Sequence, residues 1–357
     1  MTAPAPPSPP TQRPGAGPGP GQAPLASAMK PVADFHRTRV VDRRYVLENT
    51  LQPFAPGDVF LGCTFLNDPV DDHAGLGRIL QYDADLRPKG VLWTTGHRHL
   101  VMGLAFDAAG ILWGFDIHTH AVIRVDRYGR QMPAHRFAHR ALGAVAFAQD
   151  GSLYFGETLK GDRPYWGSHM EYVPGTDQVG FGRILKFDRD WRPVEEFEVE
   201  HARELSGFKA VTHLALHPSQ RFIAYTTETG KRLMRYDVLE RRQLPDLATL
   251  DGDDLFDRRW FIALAYAADG RLLVTRGDHV EVYAEDGRVV GTVSLAQFGY
   301  GFAQLTVCAD QRHALAANIF TGIACKFEIA SGKVVAHVQT DHVSPRRSLA
   351  GIAEFAG

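Results

Sequence analysis

The stretch Val101–Met132, VMGLAFDAAGILWGFDIHTHAVIRVDRYGRQM, decides the fold. Leu104 and Phe106 alternate with small residues, and Asp107-Ala-Ala-Gly110 is a turn signal. Ile111–Phe115 reads as a second strand and Ala121–Val125 as a third. Arg127-Tyr-Gly-Arg130 then turns the chain into a fourth. The unit is therefore a four-stranded antiparallel meander.

The same phrase recurs on both sides. Upstream, Asp58–Cys63, Gly77–Asp83 and Val91–Thr94 supply three strands, one short of the pattern. Downstream, a copy opens at Leu142 and ends in GRILKFD (182–188), which nearly repeats GRILQYD (77–83). Asp190-Trp-Arg-Pro193 likewise echoes Asp85-Leu-Arg-Pro88. Further copies begin at Val211, Phe261 and Phe302, at intervals of about forty residues where no insertion intervenes, as in a β-propeller. The ends give the blade count. Leu349–Phe355 (LAGIAEF) resembles the opening strand of a unit, and the first unit lacks that strand. The reading is an all-β, six-bladed β-propeller in which the C-terminal strand closes the first blade, Velcro fashion, and hides two sheet edges. Two stacked sandwich domains are the rival reading, and the unbroken repeat through the middle of the chain disfavours them.

Composition sets the bounds. Of 357 residues 45% are hydrophobic and 22% charged, which suits a globular protein. A formal charge of -2 makes no electrostatic case for nucleic acid or an anionic membrane. Three cysteines, Cys63, Cys308 and Cys325, have neither metal-type spacing nor an even count for a disulfide framework. Residues 1–30 are Pro/Gly/Ala-rich and are expected to be a disordered tail. Residues 31–56 form a lead-in, and 57–357 form one propeller domain. No apolar run reaches the length of a membrane span, and no secretory signal opens the chain. The expectation is a soluble, cytoplasmic protein acting on a small molecule.

Sixteen histidines are a mild excess. In a propeller the links between blades and the loops after second strands share one face, around the channel mouth. His97, His99, Asp116, His118, His120, His139, Glu157, His169 and Glu171 fall there, together with Glu228, Arg276, Asp278 and Asn318. Both long insertions, 64–76 and 158–181, lie on the same face. Asp116-Ile-His118-Thr-His120 alternates, so along an extended chain its three polar side chains point to one side. Imidazole and carboxylate are the ligands a borderline divalent metal takes. His99, His118, His213 and Asp116 are the expected ligands of a divalent metal ion. His213 replaces the small residue found at the same place in other units (Gly103, Ala144, Ala263, Gln304 and Gly351 stand there). Glu157 and His120 are the expected proton-transfer groups, and Tyr165, Trp166, Arg276 and Asn318 the expected substrate contacts. On this reading at least two of the histidines at 97, 99, 118, 120, 139 and 213 reach one shared point.

The phrase Ile111–Ile117 with Val122–Gly129 resembles the blade signature of six-bladed propellers of the gluconolactonase, NHL-repeat and strictosidine-synthase-like group. The resemblance implies a single divalent cation at the channel mouth, held by a carboxylate of the closing blade plus Asn and Asp from others. Glu354 stands near the place of that carboxylate. The chain reads Gly351-Ile-Ala-Glu-Phe355 there, where those enzymes carry Glu-Gly-Pro-aromatic. The resemblance makes lactone or ester hydrolysis the leading expectation, with a metal-dependent lyase or oxygenase beside it. The contrasting expectation is a non-catalytic propeller that binds a protein or peptide on the same face. No Gly-x-Ser-x-Gly elbow, phosphate-cradling glycine loop or Cys-x-x-Cys-His haem motif occurs.

Overall fold

Six sheets of the same build succeed one another along the chain. The structure, a computed structural model, describes residues 40–41, 44–45, 49–66, 75–162, 170–204, 209–344 and 347–357. The expected tail and most of the lead-in lie outside the described residues. Blade 1 pairs Arg347–Glu354 with Val59–Leu66, Gly75–Tyr82 and Pro88–Trp93. Blade 2 holds Met102–Phe106, Leu112–Asp116 and Ala121–Val125. Blade 3 runs Leu142–Phe147, Leu153–Glu157, Ile184–Phe187 and Pro193–Phe197. Blade 4 begins at His213–Leu216, blade 5 at Leu264–Tyr266 and blade 6 at Phe302–Val307, each with three further antiparallel strands. The first strands of successive blades pack against one another in cyclic order, the sixth against the first. The chain is a closed six-bladed β-propeller. Among the described residues no helix is long and apolar enough to cross a membrane.

Blade 2 departs from the expected four strands. Beyond Ala121–Val125 the chain makes only isolated bridges, Val125 with Gln131 and Val122 with His135. Pro133 lies between them and has no N–H to give to a ladder, so the edge is interrupted.

The hydrophobic pattern follows from the architecture. Each blade is covered on both faces by its neighbours, so its inner strands are apolar throughout rather than alternating. Leu112–Asp116 and Leu153–Glu157 are buried along their whole length. The outermost strands meet solvent, and Pro193–Phe197 is exposed at most positions. The core accordingly divides into six clusters, one per seam between blades. The largest aromatic group, Trp113, Phe115, Phe137 and Phe155, fills the seam between blades 2 and 3. Towards the axis the first strands approach so closely that a side chain has no room. A Cβ on Gly103 would lie 2.0 Å from the Gly143 carbonyl, and one on Gly351 would lie 2.8 Å from Leu104.

Closure rests on Arg347–Glu354, which pairs antiparallel with Val59–Leu66. A buried polar seam accompanies it. The fully buried Arg78 guanidinium stacks 4.6 Å over Trp93 and meets Asp341 at 3.2 Å. His342 Nδ1 donates to the Thr64 carbonyl at 3.0 Å, so Nε2 is the lone-pair nitrogen, and it accepts from Arg78 at 2.9 Å. Asp341 also pairs with Arg347 at 2.7 Å. Thus the link from blade 6, the third strand of blade 1 and the closing strand share one network. Burial first, then the Arg78 charge, pushes the His342 pKa down to about 3, so the ring is neutral in the folded protein.

Two outcomes follow. Deletion of Leu349–Gly357 removes the inner strand of blade 1, and loss of soluble, cooperatively melting protein is expected. A deletion variant with an unchanged melting curve contradicts ring closure. Because the His342 pKa is lower folded than unfolded, the unfolded chain takes up a proton as pH falls below about 6.5, and stability drops until pH reaches about 3. Urea titrations between pH 7 and 4 should show wild type losing up to about 1.4 kcal/mol per pH unit more than His342→Gln.

Candidate functional site

The residue ending each second strand stands at the channel-mouth face and is followed by the loop to the third strand. In four blades that residue or the next is a large polar one: Asp116, Glu157, Arg276 and Asn318. Buried there, each needs partners, and the nearest donors and acceptors are the loops themselves.

Asp116 shows the pattern most fully. Its Oδ2 accepts from Arg98 N at 2.7 Å, Thr119 Oγ1 at 3.0 Å and His97 Nδ1 at 3.3 Å. Its Oδ1 accepts from His118 N at 3.0 Å and His118 Nδ1 at 3.3 Å. His97 Nε2 is in turn 2.7 Å from Thr94 Oγ1. Burial pushes the Asp116 carboxyl up, but hydrogen bonds from His118 and His97 outweigh it and hold the group well below the usual carboxylate range. Asp116 therefore ties the link from blade 1 to the loop of blade 2. The His99 and His118 rings lie 4.7 Å apart, centre to centre. His120 is buried in a left-handed conformation (φ 53°). Its pKa falls to about 4 through burial, reinforced by His139 and Arg136, so it is neutral at pH 7.

Glu157 is placed differently from its expected role in proton transfer. Arg140 grips both its oxygens, at 2.5 and 2.6 Å, and Arg183 N adds a third bond at 3.0 Å. A fully buried carboxylate in a two-pronged pair with arginine is a structural anchor. Arg276, an expected substrate contact, donates to the Trp260 carbonyl at 2.7 Å, pairs with Glu281 at 2.5 Å and lies 4.7 Å over Phe261. Asn318, another, accepts from Phe320 N and Thr321 N at 2.9 and 3.0 Å. Both side chains are engaged in holding loops. Tyr165 and Trp166 lie outside the described residues, as does His169.

Of the expected metal ligands, His99, His118 and Asp116 lie together at blade 2, and His213 stands at the start of blade 4. Among the described residues, no group of three or more His, Cys, Asp or Glu side chains is arranged to hold a metal ion. Asp116 already accepts five hydrogen bonds, and His213 hydrogen-bonds the backbone of Ala303 in blade 6. Glu354, the carboxylate that the resemblance brought forward, stands at the far end of the closing strand, opposite Val59 and hence on the tight-turn face. There it accepts from Ala309 N at 2.7 Å and pairs with Lys326 at 3.4 Å.

Other polar groups converge near the axis at the start of blade 4. His213 opens the first strand of that blade and pairs with Thr226. Burial lowers its pKa to about 4, and its Nδ1 is buried without a hydrogen-bond partner among the described residues. Two residues beyond Thr226 comes Glu228, partly exposed. The neighbouring link joins it, because Ala202 N donates to Thr227 Oγ1 at 3.3 Å, which brings Glu204 beside Glu228. Glu204 Oε2 is buried and likewise lacks a partner among the described residues. Burial, then the Glu204 charge, raises the Glu228 pKa to about 7. Burial also raises Glu204, against the pull of Lys209. Sequence reading placed Glu228 on this face without a role and missed Glu204, since nothing in HARELSGFKAVT (201–212) marks which residue turns inward.

No protein-family model matches the chain, and no curated protein does. Its fold is shared with solved structures of low identity. One is a nidogen/laminin complex, 12% identical over 83% of this chain and 97% of that one, with a TM-score of 0.54. Another is a gluconolactonase from Xanthomonas campestris, 14% identical over 75% of this chain and 85% of that one, with a TM-score of 0.51. A virginiamycin B lyase from Staphylococcus aureus is 12% identical over 69% of this chain and 72% of that one, with a TM-score of 0.46. The likeness to the nidogen/laminin complex and the gluconolactonase is one of fold.

The anchoring role of Glu157 has a direct consequence. Glu157→Gln strips the buried Arg140 of its two-pronged charge partner, and a loss of about 3 kcal/mol in urea denaturation is expected. Unchanged stability would return Glu157 to the list of candidate reacting groups.

Proposed function

We propose that this propeller is a small-molecule hydrolase, acting on a lactone or ester at the channel mouth, with Glu228 as general base. The observation that carries this reading is the Glu204–Glu228 pair at the start of blade 4, where burial and then the Glu204 charge push the Glu228 pKa up to about 7, beside a His213 Nδ1 without a partner among the described residues. A base with that affinity is half deprotonated near neutrality and accepts a proton strongly. Two carboxyls at close quarters resist ionising together, so one keeps a proton while the other works.

In the proposed step Glu228 takes a proton from water as the water oxygen bonds to the substrate carbonyl carbon. The tetrahedral adduct collapses, the carbon–oxygen bond to the leaving group breaks, and Glu228 returns its proton to the departing alkoxide. An ester yields acid and alcohol; a lactone yields one hydroxy acid. His213, neutral at pH 7 with a lone pair on Nδ1, is a hydrogen-bond acceptor for a substrate hydroxyl. Tyr165 and Trp166 remain proposed walls of the pocket. The gluconolactonase among the fold relatives agrees with this chemistry as an analogy of fold. A divalent cation has no fitting set of ligands among the described residues, so no step runs through one. Elemental analysis of protein purified without added metal tests that omission.

A second reading is a face that binds a protein or peptide. Phe256 (77% exposed) and Phe320 (47% exposed) favour it, since both stand on mouth-side loops.

With a panel of aliphatic lactones and esters, Glu228→Gln should lower kcat/KM at least about a hundredfold with an unchanged melting temperature. The wild-type rate should rise with pH through about 7, as expected for a base. Glu204→Gln removes a neighbouring negative charge and should move that limb to lower pH. Full activity in Glu228→Gln would sink the hydrolase reading, and Phe256→Ser with unchanged partner binding would sink the second.

A further inference from the structure

The stem of the blade 3 insertion borders a cavity of about 300 Å³, lined among others by Lys160, Gln178, Phe181, Arg183 and His201. Its walls are built rather than incidental. Lys160–Gly161 pairs with Gly180–Phe181, and Val179 N closes the stem on the Gly161 carbonyl at 2.9 Å. Gly182 adopts φ 70°, and a Cβ there would lie 2.8 Å from His201 Nε2, so the imidazole is seated directly on the backbone. Phe181 lies between two guanidiniums, Arg140 at 4.5 Å and Arg183 at 5.5 Å.

The cations around this cavity are not all in contact with a carboxylate. Arg183 is matched by Glu196 and Glu198, both at 2.8 Å, and Arg140 by Glu157 and Glu196. Lys160 has no carboxylate partner among the described residues. Its one hydrogen-bond partner there is His201. His201 Nε2 is 2.7 Å from the Gly182 carbonyl, which only accepts, so the ring proton sits on Nε2. Nδ1 is then a lone pair, and Lys160 Nζ donates to it at 3.3 Å. Burial, with Lys160 opposing a second positive charge, lowers the His201 pKa and keeps the ring neutral. An ammonium aimed by a neutral acceptor, with two N–H bonds left over beside a cavity, is chemistry for an anion.

We infer that this cavity is a binding site for a small oxyanion, a carboxylate or a phosphate, with Lys160 as its charge partner and His201 as the group that orients Lys160. The inference does not depend on the hydrolase reading. Glu198 at its rim is drawn to Arg183, which leaves the Lys160 side open to a ligand.

The test is calorimetric titration of the full chain at pH 7.5 and constant ionic strength, with inorganic phosphate and with glycolate. Saturable binding of at least one is expected, weakened at least about tenfold in Lys160→Met and kept within about threefold in Lys160→Arg. Lys333→Met, a distant exposed lysine, should bind as wild type does. Tighter phosphate binding assigns a phosphorylated ligand, and tighter glycolate binding a carboxylate. No saturable binding of either up to about 50 mM overturns the inference. So does unchanged binding in Lys160→Met, or an equal loss in Lys333→Met.

Discussion

The eight residues Arg347–Glu354 hold the ring shut by pairing with Val59–Leu66, and the geometry of every seam depends on that pairing. Six sheets with uncovered faces become six sheets covered on both sides only when the last meets the first. The polar seam beside the closing strand adds direction to it. Arg78 and His342 are buried, and the Arg78 guanidinium bonds both His342 and the partly exposed Asp341, so its loss leaves a buried imidazole and a carboxylate without their shared donor. His342 serves only while neutral, because its Nε2 must accept from a guanidinium. Closure is thereby tied to the protonation of one buried ring.

The ring also determines what the axis can carry. First strands meet there at backbone distance, so glycine and alanine are favoured, and two larger polar side chains stand out against them. One is Gln304 and the other is His213. It sits beside the loop carrying Glu228, and the approach of Ala202 to Thr227 adds Glu204. Three titratable groups from two neighbouring segments thus share the mouth end of blade 4. Burial pushes all three toward their neutral forms, the histidine down and the carboxyls up. The electrostatics differ from those of blade 2, where hydrogen bonds from His97 and His118 keep Asp116 ionised. In blade 2 the carboxylate is fully engaged, while in blade 4 Glu204 Oε2 and His213 Nδ1 are without partners among the described residues.

Second-strand ends explain why so many chemically suggestive residues prove to be anchors. A loop leaving a buried strand exposes backbone N–H groups that the sheet no longer satisfies. Asp116 and Asn318 accept from just such groups, and Glu157 accepts from Arg183 N while holding Arg140. Arg276 does the converse and donates to a carbonyl of the incoming link. Polar residues recur at this station because the architecture leaves the same unpaired groups in each blade. Their chemistry resembles that of an active site for that reason alone.

The repeat in the sequence determined the fold, the number of blades and the closing strand, because strand periodicity and turn chemistry are local and each blade states them afresh. GRILQYD and GRILKFD fold into the same third strand in blades 1 and 3. The fourth strand expected in blade 2 did not form, because Pro133 lacks the N–H its ladder needs. The sequence also determined which residues share the mouth face, since strand direction alone assigns them. Which of those residues keep a lone pair for a ligand was decided by tertiary structure. That depends on partners distant in the chain: Arg140 for Glu157, Trp260 for Arg276, Ala303 for His213 and Gly182 for His201. Spacing along a strand shows where a side chain points, but the groups across the seam determine whether it is already satisfied.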